Sequence, residues 1–371
     1  MATLRDRFDP RRNSFDVLRL SFALLVAVDH GIGIRTGSQA RWGLSTLGDF
    51  GLDGFFILSG FLVTRSFLTL DSFPRFVWHR FLRIMPGFWV CLLVTAFVVA
   101  PLAALAQGLS ATTQLTGEPS ALRYVFGNAS LLIVQYDIAG ILADTPMGVS
   151  FNGAVWTLFF EAFCYVLVAA LGVSGILRRR KIVVALIVGI LAVLTILQEA
   201  GLPVLVNDRV LRLTLVFLLG AIAYLYAHKI PMRTDLAVGS AIVFLVSVAA
   251  FDDYRVLGAA PLAYVLVWFG ACFRWPWSMR ADLSYGLYIY HWPILQLLVL
   301  TGLGTTATPV FVVSGLAIVA SVAVLSWFLI EKPALGHKHS PLPDRIATTL
   351  SRRRRRPRHG RTPMPTQGRP R

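Results

Sequence analysis

The chain has 371 residues, 56 % of them hydrophobic and only 15 % charged, with mean hydropathy +0.67. Soluble domains carry about 25 % charged residues, so the composition excludes a soluble globular protein and points to an integral membrane protein. The formal charge of +16 could suggest nucleic acid, but its densest source is one C-terminal tail and no nucleic-acid-binding module accompanies it, so no such partner is expected.

The N-terminus, MATLRDRFDPRRN, is polar and basic, and the apolar run after it is long enough to span a bilayer, so no cleavable signal peptide is expected. About ten segments reach the ~20 residues that a bilayer requires. They are 15–34, 48–70, 86–106, 151–173, 181–200, 211–228, 234–251, 256–273, 283–303 and 309–330. The reading is an all-α bundle of about ten transmembrane helices with both termini cytoplasmic. On that orientation about 27 Lys and Arg fall inside and about 6 outside. The inner loops then hold Arg75, Arg80 and Arg83, then Arg178 to Lys181, Lys229 and Arg233, and Arg274 and Arg280. The one long loop, 107–150, is external, and its pieces 129–134 and 138–142 are apolar enough to be re-entrant or interfacial. The expected organisation is a basic N-terminus over 1–14, a membrane domain over 15–333 and a basic cytoplasmic tail over 334–371. The tail is rich in Pro and Arg and should be disordered. Just inside a membrane it would meet anionic lipid.

Polar residues within the spans carry the functional signal. In the first span, Arg19 and His30 are eleven residues apart. That is about three helical turns, so both share a face, with a rise of about 16 Å. A snorkelling arginine and a histidine at headgroup level form the structural alternative. In the second span, Asp49 and Asp53 share a helix face amid glycines, which suits tight packing beside a polar vestibule or a substrate pocket holding Asp53. The next inner loop, FPRFVWHRFLRIMPGFW, crowds His79, Arg80 and Arg83 at one surface. Arginines there bind phosphate through forked bonds, or simply mark the inner side. The fourth span opens with NGAVWTLFFEAFCYV, which holds Asn152, Trp156 and Glu161. A carboxylate among aromatics needs a partner, and His30 and Arg19 are the candidates. The ninth span holds SYGLYIYHWPI, with Tyr285 and with His291 as a structural or pocket-lining residue. Cys91, Cys164 and Cys272 all fall in apolar runs, so neither a disulfide framework nor a metal site is expected.

Together these segments resemble acyltransferase family 3, a family of multi-pass membrane acyltransferases. The resemblance covers residues 14–333. Its pieces are the Arg19–His30 spacing, GLDGFFILSGFLVTRS, HRFLRIMP, NGAVWTLFFEAFCY, SYGLYIYHWPI and WFLIEKP, in family order. The NGxxWTLxxE and YGLYIYHxP forms look most like the branch that modifies exopolysaccharides, Nod factors and macrolides. One departure is His79, where the family often has the first of two arginines. The resemblance implies transfer of an acyl group, usually acetyl, from acetyl-CoA to a hydroxyl of a carbohydrate or glycolipid, in the plasma membrane. Arg19, Arg80 and Arg83 would bind the coenzyme A phosphates. His30 would be the base, or would carry the acyl group covalently in a two-step relay, and Glu161 would hold its tautomer. Asp53, Asn152, Trp156, Tyr285 and His291 would line the substrate pocket. Two other classes fit some of the same residues. A transporter could use the intramembrane His, Arg and Glu as a proton path, but no inverted repeat accompanies them. A scaffold recruiting partners through its tail would leave His30 and Glu161 without a purpose.

Overall fold

The computed structural model describes residues 2–70, 72–273 and 281–341. Arg274, Arg280 and the basic run 352–356, with the lipid-binding role expected of it, lie outside the described residues.

A short turn, α1 (Leu4–Arg7), precedes α2 (Phe15–Thr36), which stops at Gly37 in the left-handed region (φ +78°). The hairpin β1 (Arg41–Trp42) and β2 (Ser45–Thr46) leads into α3 (Leu47–Leu70). Next comes α4 (Phe73–Val94), continued through a π-helical turn, Thr95–Val99, into α5 (Ala100–Ala106). The long loop carries α6 (Thr113–Thr116) and α7 (Ala121–Asn128). The second half holds α8 (Thr157–Val173), α9 (Ile176–Arg179), α10 (Lys181–Glu199), α11 (Asp208–Leu225), α12 (Thr234–Ala250) and α13 (Arg255–Cys272). It closes with α14 (Ser284–Val299), α15 (Thr308–Ser326), a π-helical turn over Trp327–Glu331 and α16 (Lys332–Gly336).

Each expected span has a helix among the described residues. Six helical stretches are long and apolar enough to cross a membrane. Two further apolar helices, Thr157–Val173 and Thr234–Ala250, are shorter. Three boundaries differ from expectation. The expected inner loop before residue 86 is the start of α4, one 34-residue stretch from Phe73 to Ala106. Pro74 sits in its first turn, where a missing N–H costs nothing, and no helix breaker follows before Pro86. The fourth helix starts at Thr157 rather than 151, because Asn152 and Gly153 make other contacts described below. The last helical course runs on to His339, past the expected domain edge at 333.

The pieces 129–134 and 138–142 form no regular element. Ile138, Ile141 and Leu142 are buried, so 138–142 packs inward, whereas Leu132 and Val134 of the first piece are exposed at the surface. Asn128 satisfies part of its backbone: Nδ2 donates to Gln135 O at 2.7 Å, and Oδ1 accepts from Val134 N at 2.9 Å. Irregular backbone is tolerated in such a protein only when its polar groups are met in this way.

The centre of the bundle is α2, α3, α8, α11 and α14. Gly60 of α3 and Gly220 of α11 cross backbone to backbone. A Cβ on Gly60 would lie 1.8 Å from Phe217 O, and one on Gly220 would lie 1.9 Å from Ile57 O. Small residues permit this approach, which drives helix association in lipid. At the periphery, α10 and α12 present Ile182, Leu186, Ile190, Leu245 and Val246 outward, an apolar surface suited to lipid chains.

Candidate active site

Three cavities that share lining residues follow one another through the bundle. At the end that carries the basic loops, a cavity of about 620 Å³ is lined by Arg19, Arg65, His79, Arg80, Arg83 and Lys338, against Asp16, Glu161 and Asp282. A waist of about 40 Å³ follows, lined by Arg19, Ser59, Arg83, Glu161, Ser284 and Tyr285, and by Leu52, Thr157 and Tyr288. The last three also wall an outer cavity of about 350 Å³ that holds His30, Asp49, Trp156, Arg209 and Arg212. The pitch of α2 thus delivers Arg19 to one cavity and His30 to another, along one helix face.

The inner cavity is organised by Asp282, just before α14. Arg19 Nη1 donates to Asp282 Oδ2 at 2.8 Å, and Arg83 Nη2 donates to the same oxygen at 2.6 Å. Ser284 Oγ donates to Oδ1 at 2.5 Å. Burial alone would raise the Asp282 carboxyl, but the two guanidiniums hold it well below the usual carboxylate range. Arg80 packs over the Tyr165 ring at 5.5 Å, and its buried Nε has no hydrogen-bond partner. Glu161 Oε1 accepts from Tyr165 Oη. The Glu161–His30 pair expected from sequence is not formed. Glu161 faces the inner cavity and the waist, while His30 lies beyond the waist, so the side chains occupy different chambers.

The partner of His30 is His291. Their Nδ1 and Nε2 atoms are 2.8 Å apart. His291 Nδ1 faces Leu287 O at 3.3 Å. A carbonyl only accepts, so His291 carries its proton on Nδ1 and Nε2 is a lone pair. His30 must therefore donate from Nδ1, which leaves its Nε2 unprotonated. Trp292 fixes the ring further, edge-on at 4.7 Å.

The NG and HWP motifs meet at this point. Pro293 lacks an N–H, so the carbonyl four residues back, Ile289 O, loses its helical donor. Asn152 Nδ2 donates to it at 2.9 Å, and Cys91 Sγ lies 3.2 Å away. Trp292 Nε1 donates to Ser150 O at 3.0 Å. Gly153 lies under the Trp292 ring, where a Cβ would be 2.5 Å from Cζ2. Asn152, expected in the substrate pocket, is thus a buried clamp on a broken helix. Of the other expected pocket residues, Trp156 lines the outer cavity, and Tyr285 lines the waist with its hydroxyl donating to Ile84 O at 2.6 Å. Asp53 is fully buried behind the outer cavity. It accepts from Arg212 Nε at 2.9 Å and from Arg255 Nε at 2.5 Å, and also from Tyr254 Oη. Arg212 bridges in addition to Asp49 Oδ1 at 2.5 Å.

Sequence reasoning missed Arg212, Asp282 and Glu331. Arg212 and Glu331 are ionisable groups in apolar runs, the signal that found Arg19 and His30. Asp282 directly precedes the SYGLYIYHWPI motif. Glu331, in WFLIEKP, is buried on the π-helical turn and accepts from Ser326 Oγ at 2.9 Å.

A helical membrane bundle with a basic chamber, a waist and a histidine-bearing chamber is suited to group transfer within the membrane. The family model described as "Acyltransferase domain", that of acyltransferase family 3, matches residues 12–328, and the chain belongs to this family. It is similar to "Nodulation protein 10" of Rhizobium leguminosarum bv. viciae, 28 % identical across 94 % of this chain and 100 % of the relative. It is also similar to an "O-acetyl transferase" of Shigella phage Sf6, 24 % identical across 87 % of this chain and 96 % of the relative. No solved structure gives a significant match. The protein is an acyl-transferring membrane enzyme.

Proposed function

We propose that the protein moves an acetyl group from acetyl-CoA, bound in the inner cavity, to a hydroxyl of a carbohydrate or glycolipid entering the outer cavity. The observation that carries this reading is the pairing of His30, which lines the outer cavity, with the buried His291. It leaves His30 Nε2 as an acceptor, the form a general base needs near pH 7.

The inner cavity suits the donor. Arg65, Arg80, Arg83 and Lys338 offer charge-assisted bonds to the phosphates of coenzyme A. Their burden of positive charge is only partly met by Asp16, Glu161 and Asp282. The narrow waist supports a slender pantetheine arm and a short acyl group rather than a long one.

The step balances as follows. The acceptor hydroxyl loses its proton to His30 Nε2 as its oxygen attacks the thioester carbonyl. The C–S bond breaks. The sulfur leaves as a thiolate and takes the proton back from His30. His291 orients the base, and Glu161 acts beside the thioester in the waist. An ionisable path alone would also serve a transporter, but a base held in one tautomer is a feature of proton abstraction.

The test is release of free coenzyme A and of acetylated glycan by purified protein in detergent. Wild type should release both in equal amounts. A folded His30→Ala variant should be about 10²- to 10⁴-fold slower. Undiminished turnover in that variant would end the proposal.

A further inference from the structure

We infer that the outer cavity selects an anionic acceptor: Arg41 and Arg209 are placed to hold a carboxylate or phosphate carried near the hydroxyl that is acetylated. This inference rests on the reading that the acceptor enters beside His30.

Arginines are scarce at this end of the bundle, as the inside bias of basic residues requires. They are Arg35, Arg41, Arg123, Arg209, Arg212 and Arg255. Arg41, Arg209 and Arg212 all line the cavity that holds His30. Arg35 donates to Thr306 O, and Arg255 is held by Asp53 and Asp253. The acidic residue lining the cavity is Asp49, and it is engaged by Arg212. Arg41 and Arg209 have no carboxylate within ion-pair distance among the described residues. Asp29 acts on Arg41 from beyond ion-pair distance, so the two guanidiniums border the chamber without a direct carboxylate partner.

Both are held in place. Arg41 sits on the hairpin, paired across it with Thr46. The hairpin turn is pinned to the bundle by Leu44 N, which donates to Asp252 O at 2.8 Å. Arg209 stands in the first turn of α11, whose start is capped by Asn207 Oδ1 accepting from Arg209 N at 3.0 Å. Its guanidinium lies 4.5 Å from the centre of the Trp156 ring. The indole face is taken by the guanidinium, and the stacked arginine keeps its outward N–H groups for an oxyanion. His30, Trp156 and the arginines line one cavity, so a glycan bound there could present a hydroxyl to His30 and its charge to Arg41 and Arg209. A neutral sugar would leave the two cations without partners.

Equilibrium binding, measured without acetyl-CoA, separates this inference from the proposed reaction. The probes are one oligosaccharide in three forms: glucuronate-terminated, its neutral methyl ester, and a 6-phosphate analogue. Calorimetry in detergent should show the anionic forms binding at least about 10-fold tighter than the ester. Comparing carboxylate with phosphate identifies which oxyanion the site takes. Arg41→Gln and Arg209→Gln together should erase the preference, and the Lys variants should restore part of it. Equal binding of charged and neutral forms would overturn the inference. So would a preference unchanged in the double variant. Dependence on anionic vesicle lipid, with no preference among the glycans, would also overturn it and assign the arginines to headgroups. Selective binding with no acetyl transfer would instead support the anion site and count against the proposed reaction.

Discussion

A base held by a second imidazole differs from one held by a carboxylate. His291 offers His30 a neutral lone pair, so it fixes the tautomer but does little to stabilise a cation. A proton taken by His30 should therefore be passed on quickly, and the departing thiolate is the acceptor at hand. His291→Phe removes the hydrogen bond and keeps a ring. We expect kcat to fall roughly 10²-fold, less than for loss of the base itself, with KM for both substrates nearly unchanged. The pH–rate profile should move as well; a loss confined to protein yield would make His291 structural only. At the inner mouth, Asp282→Asn leaves Arg19 and Arg83 without their shared counter-charge. The group is half-buried against a cavity, so losing these charge-assisted bonds should cost about 1.5–3 kcal/mol. The carboxyl is depressed in the folded protein, so its contribution is fully present above the ordinary carboxylate pKa and fades as pH falls through the folded value. Wild type should thus lose stability in acid, below about pH 4, and the Asn variant should be weakened at neutral pH with a flatter acid limb. Thermal unfolding in detergent across pH measures both.

Elements meet here through glycines and a helix break. Gly60→Val forces a side chain into Phe217 O and should cost about 3 kcal/mol or more, read as a lower unfolding temperature and loss of the monodisperse detergent complex. Gly153→Ala is subtler: the Trp292 ring must shift, and that ring braces His30, so turnover should fall further than stability does. Much of this level was legible. Hydropathy placed a helix at each expected segment, six of them in stretches long and apolar enough to cross a membrane, because lipid demands long apolar runs. The failures were at the motifs. HRFLRIMP reads as a loop by charge but is helical, since its arginines point into a cavity rather than into solvent. NGAVW reads as the start of a span but is a clamp, because the need for it arises from Pro293, a residue 141 positions away. A separation of 261 positions likewise hid the partner of His30. Sequence offered Glu161, the nearest charged group in type, and only packing brings His291 to 2.8 Å.

The proposed reaction gives the two faces of the molecule different jobs. If the donor binds at the basic end and the acceptor at the other, proteoliposomes should acetylate an external glycan only when acetyl-CoA is sealed inside with the protein's basic end. Equal rates with donor on either side would contradict that division. Between the two mouths stands the waist, about 40 Å³ walled by Leu52, Phe55, Phe56, Thr157 and Tyr288. An enzyme open at both ends is one missing plug away from being a leak. A cell that lives on its electrochemical gradient could not carry such a hole, since each charge crossing it dissipates about 2.3 kcal/mol per 100 mV. The aromatic and aliphatic collar is therefore an electrical seal as well as a passage for an acyl group. Widening it with Phe55→Ala and Phe56→Ala should make vesicles permeable to protons, visible as collapse of an imposed pH gradient, whether or not any acetyl group is transferred.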